Sequence, residues 1–160
     1  MKAASFEHVR PKSLDEAISL LTTDARVPAG GQSLGPMLNL RLARPRLLVQ
    51  VDRLPELMGF ASDAAAVTIG ACVTHAEIAD GMVPDIGSNV LARVAANIAY
   101  RAVRNRGTIG GSLCHADPAA DWVTVLTALN ATAALQGRDG ARTVPVAEFI
   151  VNIPRQSRGL

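Results

Sequence analysis

The residues with the clearest capacity for chemistry form two glycine-rich segments, Ala29-Gly30-Gly31-Gln32-Ser33-Leu34 and Thr108-Ile109-Gly110-Gly111-Ser112. A phosphate-bearing ligand needs backbone N–H groups converging on its oxygens, and a residue without Cβ lets the chain come close enough or take positive φ. The first segment follows a short apolar step, Arg26 to Ala29, and precedes a helix start, whose dipole adds attraction for an anion. Two such devices far apart in the chain suit a long ligand better than a mononucleotide. Asp117, just after the second, offers a carboxylate to ligand hydroxyls. The common nucleotide signatures are missing: there is no Gly-x-Gly-x-x-Gly, and Gly35 is followed by Pro36 where a P-loop requires Lys. One Gly-Gly turn alone is weak evidence, so the reading rests on the pair and its flanks.

Other candidates carry less. His115 reads as a loop histidine near the ligand, not as an acid/base group. His8 falls in an N-terminal strand region, and His75 and Glu77 belong to a helix start; all three read as structural. Arg41, Arg44 and Arg46 and the later Arg101, Arg104 and Arg106 form two basic clusters that face cofactor phosphates, a partner or water. Cys72 and Cys114 lie far apart without a Cys-x-x-Cys spacing, so the chain alone builds neither a zinc nor an iron–sulfur site, and no metal ligands are assigned. No catalytic acid/base group with a substrate pocket is visible.

The elements that must position these segments follow from local signals. Ser13 caps LDEAISLL, predicting an amphipathic helix over residues 13–22. The step before Gly30, the helix in LGPMLNLRLA and the β-rich run Leu47 to Asp52 predict a parallel β-α-β unit. Val67 to Gly70 predicts a strand, and Thr74 with Glu77 has capping-box spacing. Residues 85–99, with Ile86, Val90, Leu91, Val94, Ala95 and Ile98 on one face, predict a long helix. The glycine density of Asn105 to Ser112 predicts a loop, because each helical Gly costs about 1 kcal/mol relative to Ala. Asp117 as N-cap with Pro118 at the first position predicts a helix over Ala119 to Leu129, with Trp122 in the core. Ala131 to Gln136 and Arg142 to Val144 predict a hairpin turning at Gly137 to Gly140.

At 160 residues, 49% apolar and 19% charged, the chain has the composition of a globular protein with a real core. Five aromatics and a net charge of +2 are too few stacking platforms and too weak a field for a nucleic-acid binder. The opening MKAASFEHVRPKS has no apolar h-region, and no run nears the roughly 18 apolar residues needed to span a bilayer. A cytoplasmic protein, neither exported nor inserted in a membrane, is expected.

The two segments in their contexts, AGGQSLGPMLNLRLARP and TIGGSLCHADPAAD, resemble the FAD signatures of the medium subunit of the carbon monoxide dehydrogenase and xanthine dehydrogenase family of molybdenum hydroxylases. The opening Phe6 to Ser13, VTIGA at Val67 to Ala71 and Thr74-His75 also match, and the resemblance covers about residues 3–150. It implies an α+β fold of the vanillyl-alcohol-oxidase (PCMH) type. A small N-terminal α/β subdomain (1–55) and a larger, incomplete α+β subdomain (56–150) would clasp FAD, followed by an unmatched tail (151–160). Ala29 to Leu34 would hold the pyrophosphate and Thr108 to Ser112 complete the cradle. Asp117 and Asp121 would lie near the ribityl and ribose hydroxyls or cap nearby backbone. The partners implied are an iron–sulfur small subunit and a molybdopterin large subunit, with electrons leaving through this FAD. Because the family's subunit continues past Phe149, the resemblance also implies a C-terminally truncated chain. The rival reading is a noncatalytic assembly module that binds only partner subunits.

Overall fold

The structure is a computed structural model that describes residues 2–149; the tail expected at 151–160 lies outside the described residues. The N-terminal part is a parallel sheet of β1 (Glu7–Val9), β2 (Ala25–Arg26) and β3 (Leu47–Val49), in the order β1-β3-β2. Helices α1 (Leu14–Ser19) and α2 (Leu34–Asn39) make the crossovers, so the predicted β-α-β unit is present with shorter strands than expected. Ser13 caps α1, its Oγ accepting from the Glu16 N–H at 3.1 Å. The apolar positions of these elements form two clusters, one of Ala17, Ala25, Val49, Val51, Leu54 and Cys72 and one of Leu38, Ala43 and Leu48.

The chain then forms an antiparallel pair, β4 (Phe60–Ser62) and β5 (Val67–Ile69), followed by α3 (His75–Ala79). Thr74 and Glu77 close the expected capping box: the Glu77 carboxylate accepts from the Thr74 N–H at 2.7 Å and Thr74 Oγ1 from the Glu77 N–H. Helices α4 (Val90–Asn97), α5 (Arg101–Arg104), α6 (Ile109–His115) and α7 (Asp121–Ala128) pack on α3 around Ile78, Leu91, Ala95, Ile109, Leu113 and fully buried Trp122. The hairpin of β6 (Thr132–Gly137) and β7 (Gly140–Pro145) appears where predicted and leads into α8 (Val146–Phe149). At its turn, Arg138 donates to the carbonyls of Ser19 and Leu21 at the end of α1, satisfying groups that a helix terminus leaves unpaired.

Three local expectations are corrected. The helix expected over 85–99 begins only at Val90, because Gly87, Ser88 and Asn89 take φ of 121°, 55° and 51°. Asp85 Oδ1 holds that turn by accepting from the N–H groups of Gly87 and Asn89, both at 3.0 Å, and Ile86 is left exposed. The segment Ile109 to Ser112, expected as loop, is the first turn of α6: Thr108 caps it through Oγ1, which accepts from Gly111 N–H at 3.1 Å. Helix α7 starts at Asp121 rather than after Asp117, since Ala120 is extended; Asp117 Oδ1 instead accepts from the Ala119 N–H at 2.9 Å, a local turn.

Candidate functional site

The loop between β2 and α2 ends in four main-chain N–H groups, those of Gly31, Gln32, Ser33 and Leu34, with no acceptor among the described residues. Ser33 occupies the N-cap position of α2 yet makes no capping bond, so its hydroxyl is also uncommitted. Gly31 has φ of 72°, the left-handed region that glycine adopts without Cβ strain. The loop is fixed from behind. Gln50, just past β3, donates through Nε2 to the Ala29 carbonyl at 2.9 Å, and the Val51 N–H donates to the Pro28 carbonyl at 3.1 Å. Gln32 is exposed, its Nε2 donating to the Gly30 carbonyl at 3.3 Å.

The turn that leads into the second segment, Arg106 and Gly107, comes directly against the first. A Cβ on Gly30 would collide with the Arg106 carbonyl oxygen, lie 2.5 Å from its carbon and 3.0 Å from the Gly107 Cα. Gly30 and the Arg106–Gly107 turn therefore meet along one seam, at a separation that only glycine permits at position 30.

The polar inventories of the two glycine segments differ. The leading amides of α6 are spent within the protein: Ile109 N–H donates to Val73 at 3.1 Å, Gly110 N–H to Ala71 at 2.9 Å, and Ser112 N–H to Thr108 at 3.0 Å. Gly110 lacks a Cβ for a packing reason, because one would sit 2.5 Å from the Ala71 Cβ and 2.7 Å from its oxygen. This close approach, with the Thr108 cap, explains why two glycines tolerate helical positions. The open amides thus belong to the first segment, while those of the second are consumed within the protein.

Behind the seam lies His75, 5% exposed. Its backbone N–H donates to the Gly107 carbonyl at 2.9 Å, and its Nδ1 accepts from the Trp122 indole N–H at 3.1 Å. Burial pushes its imidazole down to about 4, against a smaller opposing pull from Asp121. The ring is therefore neutral near pH 7, with the proton on Nε2 because Nδ1 is an acceptor.

Of the other sequence candidates, Asp121 opens α7 close enough to act on His75, whereas the contacts of Asp117 are confined to its own turn. His115 is the exposed last residue of α6 rather than a loop residue. The basic clusters are mostly committed. Arg101 forms a two-pronged pair with Asp80 at 2.6 and 2.7 Å, and Arg104 donates to the carbonyls of Ile98 and Ala99. Arg41 and Arg44 bond backbone carbonyls, and Arg46 lies 3.8 Å from Asp24. Of these six arginines, only Arg106 has a side chain with no partner among the described residues. Sequence reasoning missed Gln50 and Ala71; for Gln50 the available signal was a lone amide inside the apolar run LLVQV.

The protein resembles known ones over most of its length. The sequence profile described as FAD binding domain in molybdopterin dehydrogenase matches residues 4–159. The chain is 42% identical over 155 residues to the 6-hydroxypseudooxynicotine dehydrogenase complex subunit alpha of Paenarthrobacter nicotinovorans, covering 95% of this chain and 52% of that protein. It is 40% identical over 149 residues to the carbon monoxide dehydrogenase medium chain of Hydrogenophaga pseudoflava, covering 91% and 52%. Superposition on a chain of quinoline 2-oxidoreductase from Pseudomonas putida 86 gives a TM-score of 0.84 at 39% identity, again over 91% and 52%. This chain thus spans about half the length of the relatives it matches. The likeness bears out the expected α+β fold of the vanillyl-alcohol-oxidase type. No described helix is long and apolar enough to cross a membrane. The glycine seam, the fold and the profile agree, and the chain belongs to the family of FAD binding domains of molybdopterin dehydrogenases.

Proposed function

We propose that Gly30, Gly31, Gln32, Ser33 and Leu34, with the Ala29 carbonyl anchored by Gln50, hold the FAD pyrophosphate. Thr108, Ile109, Gly110, Gly111 and Ser112 form the opposite wall of the cradle. The single observation that carries this reading is the row of unpaired amides from Gly31 to Leu34 beside a seam that a Cβ would close. Converging main-chain donors beside a helix start are the chemistry that a diphosphate requires, so the residues fit the cofactor. The free carboxylate oxygen of Asp117, the Asp121 carboxylate and the uncommitted Arg106 guanidinium are the side chains assigned to the remaining hydroxyl and phosphate groups.

Bound FAD supplies a carrier that takes up and gives up electrons. The chain itself binds, orients and shields that carrier, and no residue of it is assigned to substrate chemistry. We read residues 1–55 and 56–150 as the two subdomains that clasp the cofactor. The full assembly in this reading is a cytoplasmic molybdenum hydroxylase, with an iron–sulfur small subunit delivering electrons and a molybdopterin large subunit acting on substrate. The names of the relatives support it, since they are the alpha subunit of a dehydrogenase complex and the medium chain of a carbon monoxide dehydrogenase.

Purify the chain alone and coexpressed with the neighbouring reading frames, then record visible spectra and melting curves with added FAD. Flavin bands and a ligand-dependent rise in Tm are expected. Their absence in both preparations, or FAD uptake that survives Gly30→Asp with Gly110→Asp in a folded protein, overturns the assignment.

A further inference from the structure

We propose that His75 is a positioning residue for this cradle: its imidazole, braced by the Trp122 indole, sets where Gly107 and the Arg106 carbonyl meet Gly30. The inference rests on reading the seam as the FAD site and assigns that site a support outside both glycine segments.

A histidine that is 5% exposed and bonded to Trp122, itself part of the apolar core with Ile78, Ile109 and Leu113, is not explained by apolar packing, which a leucine would serve better. Both edges of the ring are in use. On one edge Nδ1 accepts from Trp122, whose side chain is fully buried and therefore fixed, with ring centroids 6.0 Å apart and planes tilted by 34°. On the other edge Cδ2 and Nε2 each lie 2.9 Å from the point that a Cβ on residue 107 would occupy. The His75 main chain holds the same residue through the bond to the Gly107 carbonyl. Gly107 then abuts Gly30, its Cα 3.0 Å from the Cβ position there.

Along the series indole, imidazole, Gly107, Gly30 neither glycine has room for a Cβ unless a neighbour shifts, and close-packed interiors transmit such displacements. A change in the ring therefore moves the wall that faces the open amides. Gly107 needs no positive φ, so a Cβ there is opposed by neighbours alone, His75 nearest.

The test is a double-mutant cycle on the 160-residue chain, with FAD affinity read from flavin fluorescence and the fold read separately from apo-protein melting. His75→Ala and Gly107→Ala are each expected to raise the Kd for FAD about tenfold, and the double variant to lose less than the product because the added methyl enters the vacated space. His75→Asn, whose Oδ1 replaces Nδ1, is expected to keep the indole resonance of the sole tryptophan near its wild-type position and to bind FAD better than His75→Ala. It carries the comparison if the alanine variant does not fold. Wild-type affinity in folded His75→Ala or His75→Asn, or strictly multiplicative losses in the cycle, overturns the inference. A wild-type chain that binds no FAD overturns the cofactor site itself, a result distinct from either.

Discussion

Substituting Gly30 by alanine isolates the seam against the Arg106–Gly107 turn, because Gly30 does not need positive φ and the penalty is purely steric. The new Cβ would lie 2.5 Å from the Arg106 carbonyl carbon, whereas comfortable contacts between carbons fall near 3.5–4.0 Å. The walls must therefore part by about 1 Å, and a main-chain hydrogen bond near its usual ~2.9 Å does not survive that displacement. Losing one charge-assisted bond to a phosphate costs about 1.5–3 kcal/mol. That corresponds to roughly a ten- to 150-fold increase in the Kd for FAD. Overpacking adds about 1–3 kcal/mol of lost stability without ligand. Gly35→Ala is the matched control: it lies in α2 with open space at its Cβ and no positive φ. The one neighbour its Cβ meets is the ring of Pro36, which disfavours a helical non-glycine residue before it, so the variant should cost a little local stability and leave FAD affinity unchanged. Fluorescence titration with FAD on both variants, with apo-protein melting in parallel, decides the matter. A folded Gly30→Ala protein that binds FAD within about threefold of wild type would refute the reasoning.

Four further outcomes are expected. Gly110→Ala, meeting the Ala71 Cβ at 2.5 Å, should cost about 2 kcal/mol and lower Tm by roughly 4–8 °C, as read by calorimetry. Thr108→Ala removes the cap of α6 and should cost about 1 kcal/mol by urea denaturation. Gln50→Leu unties the Ala29 carbonyl and should weaken FAD binding about tenfold with little change in apo Tm, measured by the same titration. His75 makes stability pH-dependent. Its folded-state value of about 4 lies below the ordinary 6.5, so the unfolded chain binds the proton first as pH falls. Its contribution is intact above 6.5 and declines to about 4, a loss on the order of 3 kcal/mol that urea melts across this range should show and His75→Asn should reduce.

Signals complete within a few residues were legible from the sequence: the Ser13 cap, the Thr74 and Glu77 box, the β2-α2-β3 crossover, the hairpin at Gly137 to Gly140 and the buried Trp122. In each, the hydrogen bonds or apolar period that form the element lie inside it, so local chemistry dictates the outcome. The same reasoning identified both glycine segments as sites of close approach. It did not say what they approach. Whether Gly110 and Gly111 lie in a loop or a helix depended on Ala71, a partner distant in the chain whose contact offsets the cost of helical glycine. Asp117 looked like a helix cap until Ala120 proved extended, and the face of 85–99 looked continuous until Asp85 drew Gly87 and Asn89 into a turn.

The sequence by itself determined which residues lack a Cβ, which are apolar and which can cap. Only the tertiary structure decided that Gly30 meets Arg106 and Gly107, that the amides of the first segment stay open while those of α6 are consumed, and that His75 stands behind the seam. The physical reason is that a hydrogen bond or steric contact between distant segments exists only after the core has brought them together, and no local pattern records where that meeting occurs.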